Sequence, residues 1–294
     1  MNSQNIGWIG TGVMGASMAS HLLNAGYKLY IHNRTTAKAQ SLIDAGAIFC
    51  ETPAEVAQHV DLTFLMVGYP EDVESTILGQ DGILSEARQN STIVDMTTSK
   101  PSLAVMIYKA AKERNVSVLD APVSGGDIGA RNATLAIMVG GDVEVFEKTK
   151  PFFEIMGKTI AYFGPAGSGQ HTKMSNQILV AGTMIGVVES LLYAKRAGLN
   201  LQSVIEVIGS GAAGSWSINN LGPRIVKGDF DPGFYIKHFV KDMGIALEEA
   251  KQLNLTLPGL ALVNQFYQAA IAQGLENLGT QGLFKVLDQL SRPL

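Results

Sequence analysis

The sequence has little cysteine and little charge. Cys50 is the only cysteine among 294 residues, which excludes an internal disulfide and is typical of a reducing compartment. We interpret Cys50 as a partly buried apolar side chain, because no feature around it supplies a base that could activate its thiol. Charged residues make up 16% of the chain, the formal net charge is −4 and basic residues form no run, so neither a nucleic acid nor a membrane surface is expected as partner. We therefore expect a small molecule as the partner.

No export signal is expected from the residues at the start of this sequence. Its N-terminus, MNSQNIGWIG, enters a predicted strand directly, without the charged and apolar regions of a secretion signal, and we expect a cytoplasmic protein. No metal site is predicted. With 294 residues, 46% of them hydrophobic, the chain can bury an ample core, and we expect two domains, residues 1–164 and residues 165–294.

A glycine-rich turn follows the first predicted strand. The apolar run from Asn5 to Ile9 leads into Gly10-Thr11-Gly12-Val13-Met14-Gly15, and a helix is expected after it up to Asn24. Between a strand and a helix, the pattern GxGxxG predicts a dinucleotide site, in which Gly10 permits the tight turn and Gly12 the approach of a pyrophosphate, while Gly15 lets the helix pack closely. We expect the phosphates at the helix N-terminus, where N–H groups and the helix dipole favour negative charge.

The second predicted strand indicates which dinucleotide is bound. It runs from Tyr27 to His32 and ends in Asn33-Arg34-Thr35, where the adenosine ribose of a cofactor is expected. An acidic residue there would bind a free 2′-hydroxyl, but the segment offers Arg34, whose planar cation suits a 2′-phosphate. We therefore predict NADP(H), with NAD(H) as the alternative cofactor. An Arg34 that is merely solvated at the strand end is the other interpretation.

Strands and helices alternate through the first half of the chain. This alternation predicts an α/β fold with a Rossmann-type, doubly wound and mostly parallel sheet, whose ligands bind beyond the carboxyl ends of the strands. Val67 and Thr98 lie at such ends. The further strands are expected at residues 61–67, 91–96, 116–121, 135–141 and 159–163, and the helices at residues 36–45, 53–59, 101–114 and 142–156.

The segment after the strand at residues 116–121 offers groups that can hold an anion. Ser124 is followed by Gly125 and Gly126, so one hydroxyl and several unobstructed backbone N–H groups lie beyond the carboxyl end of a strand. Such groups bind a carboxylate without a charged side chain. We favour this interpretation over the alternative, which is a plain flexible loop.

One long helix is expected from about Gln170 to Ala197. Near its beginning, Lys173, Asn176 and Gln177 follow one another at i, i+3 and i+4, so their side chains share a face and can converge on one small molecule. The run from Ile178 to Val188 is apolar nearly all round, which predicts burial, and it is too short to span a bilayer. Since one layer of helices cannot cover every side of it, we expect a homodimer or homotetramer.

The chain beyond Gly198 is predicted to be wholly helical, and it forms an all-α C-terminal domain together with the long helix. Helices are expected near residues 201–209, 215–221, 235–253, 258–273 and 280–290. Lys241 lies on one of them and is followed by Asp242. From spacing alone, Lys241 is more simply explained as a solvated surface charge.

Four stretches of the sequence together form the pattern of one enzyme family. The stretches are Gly10 to Gly15 with Met18, Asp120 to Gly126 with Gly129 and Ala130, Gly167 to Gly169 through Lys173 to Asn176, and Lys241 with Asp242. Through these stretches the whole chain resembles the β-hydroxyacid dehydrogenases, which include 3-hydroxyisobutyrate dehydrogenases, tartronate semialdehyde (2-hydroxy-3-oxopropionate) reductases, glyoxylate and succinic semialdehyde reductases and, more distantly, 6-phosphogluconate dehydrogenase.

The resemblance implies hydride transfer between NAD(P) and a small 3-hydroxy acid or semialdehyde. It implies that Lys173 is the catalytic acid/base, that Asn176 orients the reacting oxygen, and that Ser124, Gly125 and Gly126 hold the substrate carboxylate. It further implies that Val67, Thr98 and Lys241 contact the cofactor.

The sequence departs from the family pattern at two positions. Asn132 stands where many members have glycine in the substrate loop, and Gln177 stands where many have asparagine. The second departure leaves open whether Asn176 or Gln177 points at the substrate. An imine reductase and a non-catalytic dinucleotide-binding protein of the same fold are the alternative functions, and Lys173 argues against both.

Overall fold

A mixed sheet forms the centre of the N-terminal part of the chain. The computed structural model describes residues 4–291, and these residues divide into two units between Lys173 and Met174. The strands of the first unit are β1 (Asn5–Ile9), β2 (Lys28–His32), β3 (Ile48–Phe49), β4 (Leu62–Leu65), β5 (Thr92–Asp95), β6 (Ser117–Asp120), β7 (Val123–Ser124), β8 (Leu135–Gly141) and β9 (Gly157–Gly164).

The strand order is β3-β2-β1-β4-β5-β6-β8-β7, with β9 also paired to β8. The pairs from β3 to β6 are parallel, as is β8 with β9, whereas β8 is antiparallel to both β6 and β7. The chain therefore crosses from β3 over to β4 on the other side of β1, which is the switch point of a doubly wound sheet. The predicted fold class is confirmed.

Both faces of this sheet are buried. Along β4, Leu62 and Phe64 belong to one apolar cluster, whereas Leu65 belongs to a second. Since successive side chains of a strand point to opposite faces, the two clusters are the layers between the sheet and its helices. The nearly continuous apolar runs of the sequence follow from this burial on both sides.

Eight helices accompany the strands among the described residues of the first unit. Proline at the start of α3, α4 and α6 costs no hydrogen bond, because the first N–H groups of a helix have no partner within it. The helices are α1 (Val13–Asn24), α2 (Gln40–Asp44), α3 (Pro53–His59), α4 (Pro70–Leu78), α5 (Ile83–Glu86), α6 (Pro101–Lys112), α7 (Gly126–Arg131) and α8 (Val143–Met156), with a 3-10 turn at Thr36–Ala39.

The Ser-Gly-Gly segment is more regular than a loop. Ser124 ends β7 and pairs with Ala136 of β8, and α7 begins at Gly126. Gly125 and Gly126 have φ angles of 129° and 62°, which L side chains rarely adopt, so the two glycines make the sharp change from strand to helix. The interpretation as a plain flexible loop is therefore wrong.

The second unit is helical, as predicted. The long helix α9 (Ser168–Arg196) crosses the division between the two units and is followed by α10 (Leu201–Ser210), α11 (Trp216–Asn220), α12 (Gly222–Val226), α13 (Ile236–Gln252), α14 (Pro258–Ala272) and α15 (Leu283–Leu290), with a 3-10 turn at Thr280–Gly282. One apolar cluster, which includes Met184, Phe239 and Tyr267, fills the space between these helices.

The apolar part of α9 is only partly buried. By length and composition alone the helix could cross a membrane, and 44% of its most apolar 18-residue window is buried. Met184 and Val188 are fully buried, but Leu179 is 71% exposed. Within one chain, one face of the stretch from Ile178 to Val188 is therefore left uncovered, and its burial by a second copy stays a prediction.

Candidate active site

The glycine-rich turn between β1 and α1 has the shape that a dinucleotide requires. Gly10 has a φ angle of 92°, and a Cβ at Gly15 would collide with the carbonyl oxygen of Gly10. Gly12 is exposed in extended conformation just before α1, and a Cβ built on it would have no heavy atom within 4 Å. A pyrophosphate can therefore approach the first N–H groups of α1 without obstruction.

The same turn contains a polar atom that needs a partner. Thr11 is buried, and its Oγ1 has no hydrogen-bond partner within residues 4–291. Its backbone N–H donates to Asn33 Oδ1 at 2.9 Å, so the turn is held against the end of β2. Because buried polar groups are nearly always hydrogen-bonded, the orphaned hydroxyl fits a site that a ligand completes. The residues present therefore fit a dinucleotide.

The residues after β2 lie beside this turn and reach solvent. Asn33 donates from Nδ2 to the carbonyl oxygen of Thr35 at 2.8 Å. The Arg34 side chain is 88% exposed, and its Nη1 lies 3.3 Å from Asp72 Oδ1. Exposed ion pairs of this kind contribute about 0–1 kcal/mol, so Arg34 can exchange Asp72 for another anion at little cost.

The ends of β4 and β5 are linked to each other. The backbone N–H of Val67 donates to Thr97 Oγ1 at 3.0 Å, and the N–H of Thr97 donates to Asp95 Oδ1 at 2.9 Å. Val67 and Thr98 are both half-buried, at the carboxyl ends of neighbouring parallel strands. They lie where the fold places a ligand.

A buried carboxylate connects β6 to the beginning of α9. Asp120 ends β6 and is 2% exposed. Its Oδ1 accepts from the N–H of Gly167 at 2.7 Å and its Oδ2 from the N–H of Gln170 at 2.9 Å. Burial raises the pKa of the Asp120 carboxyl from 3.8 to about 6, although the hydrogen bonds from backbone N–H groups act in the opposite direction and lower this pKa.

Gln170 connects the same turn of α9 to the segment after β5. Its side chain is fully buried, and its Oε1 accepts from the N–H of Ser99 at 2.9 Å while its Nε2 donates to the carbonyl oxygen of Thr97 at 2.7 Å. Lys173 follows one turn later and is 6% exposed. The turn that precedes Lys173 is thus fixed by two buried polar side chains.

In the second unit a chain of polar contacts joins α9 to α13. Asn176 donates from Nδ2 to Gln177 Oε1 at 2.7 Å, and Gln177 donates from Nε2 to Asp242 Oδ2 at 2.6 Å. Asp242 Oδ1 lies 3.1 Å from Lys241 Nζ. Lys241 is therefore mostly buried and paired, and the interpretation as a solvated surface charge is wrong.

The structure brings several of the predicted site residues together within each unit. Thr11 contacts Asn33 in the first unit, and Asn176 is linked to Lys241 through Gln177 and Asp242 in the second. Sequence reasoning missed Gln170 and the contacts of Asp120. An acidic residue at the carboxyl end of an apolar strand was the available signal for Asp120.

Two family models together match most of the chain. The one described as the NAD binding domain of 6-phosphogluconate dehydrogenase matches residues 5–164. The one described as NAD-binding of NADP-dependent 3-hydroxyisobutyrate dehydrogenase matches residues 167–287.

Several proteins that are similar to this chain in sequence or in structure are named as hydroxy acid dehydrogenases or reductases. The chain is 51% identical over 291 residues to the probable mitochondrial 3-hydroxyisobutyrate dehydrogenase-like protein 1 of Arabidopsis thaliana, covering 99% of this chain and 87% of that protein. It is 38% identical to the 2-hydroxy-3-oxopropionate reductase of Escherichia coli, covering 97% and 98%. The crystal structure of 3-hydroxyisobutyrate dehydrogenase from Salmonella typhimurium matches with a TM-score of 0.88 at 26% identity, covering 97% of this chain and 100% of that one.

Imine reductases are more distant. The enzyme from Pseudomonas sp. matches with a TM-score of 0.64 at 20% identity, which shows a shared fold alone. The family models and the relatives instead confirm the resemblance found in the sequence motifs. The chain belongs to the β-hydroxyacid dehydrogenase family of NAD(P)-dependent oxidoreductases.

Proposed function

We propose that this protein interconverts a small 3-hydroxy acid and its semialdehyde, with Lys173 as the general acid/base. The observation that carries the proposal is a lysine that is 6% exposed one turn after a helix start anchored by Asp120 and Gln170. Lysine is rarely buried to this extent, and a buried amine on a fixed turn suits proton transfer to one defined atom. When bound, the nicotinamide cofactor supplies or accepts the hydride.

The chain's own residues bind the substrate and move the proton. In the direction of reduction, Lys173 Nζ donates a proton to the carbonyl oxygen, and in the direction of oxidation it takes the proton from the hydroxyl. The Ser124 hydroxyl and the N–H groups of Gly125 and Gly126 hold the substrate carboxylate. This role is supported by the turn from β7 to α7, where Gly125 and Gly126 have positive φ angles and carry no side chain, so their backbone is accessible.

We assign the substrate contact to Asn176 and a connecting role to Gln177. Both ends of the Gln177 amide are engaged, Oε1 with Asn176 and Nε2 with Asp242, and the side chain is 2% exposed. Asn176 is half-buried one residue earlier. A buried amide that bonds at both ends holds its neighbours in place and has little capacity left for a ligand.

The cofactor preference is proposed to be NADP(H), with NAD(H) as the second cofactor. Its support is Arg34, an exposed guanidinium beside the glycine-rich turn that forms a surface ion pair with Asp72. Val13, Met14 and Thr35 complete this cofactor region, and Val67, Thr98 and Lys241 are the further proposed cofactor contacts. We also propose that the protein acts in the cytoplasm.

The exposed face of α9 supports a homodimer or homotetramer. Leu179, Gly186 and Tyr193 follow at intervals of seven on this face, and Leu179 and Tyr193 are 71% and 77% exposed. Gly182 and Gly186 carry no side chain that would keep another helix away. A seven-residue repeat of this kind is typical of a helix that packs along a partner helix, and a second copy of the chain is the proposed partner.

The replacement Lys173→Ala tests the proposed function. We expect turnover of the best substrate in a panel of short aldehydes and 3-hydroxy acids to fall at least ~100-fold, the usual scale for a positioned acid or base, with cofactor affinity nearly unchanged. Absorbance at the nicotinamide band measures turnover with NADPH and NADH. Lys148→Ala, on the exposed side of α8, is the matched control. A Lys173→Ala protein with the turnover of the wild type would exclude the assignment.

A further inference from the structure

The long helix begins without a capping side chain of its own. The N–H of His171 donates to the carbonyl oxygen of Gly167 at 2.9 Å, which makes Gly167 the residue that caps α9. Glycine has no side chain to accept from the first N–H groups of a helix, and these groups have no partner within the helix. Another part of the chain therefore has to supply the acceptor.

Asp120 supplies that acceptor from 47 residues away. Its carboxylate accepts from the N–H of Gly167 and the N–H of Gln170, and the N–H of Gly169 also bonds to it. In a helix with a local cap, the capping side chain takes the third N–H and a later Glu or Gln takes the N–H of the capping residue. Here one carboxylate performs both tasks, which leaves the side chain of Gln170 available for Ser99 and Thr97.

The backbone around this carboxylate is built for close approach. A Cβ at Gly140 of β8 would lie 2.7 Å from Asp120 Oδ1, and a Cβ at Gly169 would lie 2.5 Å from the carbonyl oxygen of Asp120. Any side chain at either position would push the helix start away from the end of β6. The two glycines thus let the first turn of α9 lie directly on the strand end.

We propose that Asp120 is a positioning residue for the reaction, because it holds the turn of α9 that carries Lys173 in a fixed place. This inference rests on the proposed role of Lys173. A helix rises about 1.5 Å per residue, so Lys173 lies roughly 4.5 Å along the axis from Gln170, whose N–H is bound by Asp120. A small rotation of the first turn therefore moves the amine directly, and such displacements are costly in catalysis.

The experiment combines Asp120 and Lys173 in a double-mutant cycle. Asp120→Ala is expected to lower kcat at least ~10-fold with the Kd of NADPH changed less than ~2-fold, and Asp120→Asn, which keeps one acceptor oxygen, should lose less. In the Lys173→Ala background, Asp120→Ala should cause no further loss, because the residue acts through Lys173. Asp61→Asn, on an exposed carboxylate, is the matched control.

Amide hydrogen exchange gives a readout that does not depend on turnover. We expect Asp120→Ala to speed exchange at Gly167, Gly169 and Gln170 while the strands of the sheet stay protected. Additive losses in the cycle, or unchanged exchange at these amides, would overturn the inference. If Lys173→Ala itself keeps full activity, the proposed function fails instead, and the two failures are thereby distinguished. If Asp120→Ala does not fold, the double-mutant cycle and the exchange measurement are made with Asp120→Asn instead.

Discussion

The replacement Asp120→Asn should change how the stability of the N-terminal unit depends on pH. Burial raises the pKa of this carboxyl from 3.8 to about 6. The folded state then binds the proton more tightly than the unfolded chain, so the stabilisation is fully present below pH 3.8 and is lost as the pH rises through 6. A difference of about two pKa units corresponds to ~3 kcal/mol in the free energy of unfolding.

Asparagine does not titrate, so the variant lacks this dependence. Between pH 4 and pH 7.5, the free energy of unfolding of Asp120→Asn should rise by about 2.5 kcal/mol relative to that of the wild type, slightly less than the full difference because the unfolded chain already begins to ionise at pH 4. All other groups titrate in both proteins and cancel in the difference. At neutral pH alone, the variant can be more or less stable than the wild type. It avoids the cost of desolvating a charge, but it also loses a charged acceptor for the backbone N–H groups.

Urea unfolding followed by tryptophan fluorescence measures this difference. The chain has two tryptophans, Trp8 buried in the sheet unit and Trp216 exposed on α11. A Trp216→Phe background leaves Trp8 as the only emitter, so the signal reports the unit that contains Asp120. Parallel curves for wild type and Asp120→Asn would refute the reasoning about the buried carboxylate.

Two further predictions concern the cofactor and the assembly. Arg34→Asp should shift the ratio of kcat/KM for NADPH and NADH toward NADH, since a 2′-phosphate would then face a carboxylate and a free hydroxyl would gain an acceptor; a wild type that already favours NADH would contradict the assignment. Leu179→Asp should dissociate the oligomer in sedimentation at micromolar concentration, whereas Val143→Asp on α8 should not. A wild type that sediments near 31.3 kDa would mean that the exposed face of α9 stays uncovered.

The sheet was largely predictable because its signals are local. The glycine pattern at residues 10–15 and the apolar run that contains β4 each reflect a requirement that a few neighbouring residues meet by themselves. The predicted helix at residues 36–45 forms instead as a 3-10 turn followed by α2. The short strand β7 escaped prediction because Val123 and Ser124 are extended only by pairing with β8, a contact that no local pattern encodes.

The polar contacts around the candidate site were much less predictable. Lys173 and Asn176 stand out by helical spacing, but the bonds of Asp120 to Gly167 and Gln170 join residues about 50 positions apart. Which face of α9 is left uncovered, marked by Leu179, was also not predicted. Hydrophobic periodicity shows that a surface is apolar, but it does not distinguish burial in the same chain from burial in a second copy.

The burial of Cys50 makes this chain convenient for site-specific labelling. Cys50 is 2% exposed, and burial raises the pKa of its thiol to about 11, so at neutral pH almost no thiolate is present to react. A cysteine introduced at Ser175, on the exposed face of α9, would then be the single reactive thiol without removal of the native one. A spin label or fluorophore at that position would report directly on whether two copies of α9 approach each other in solution.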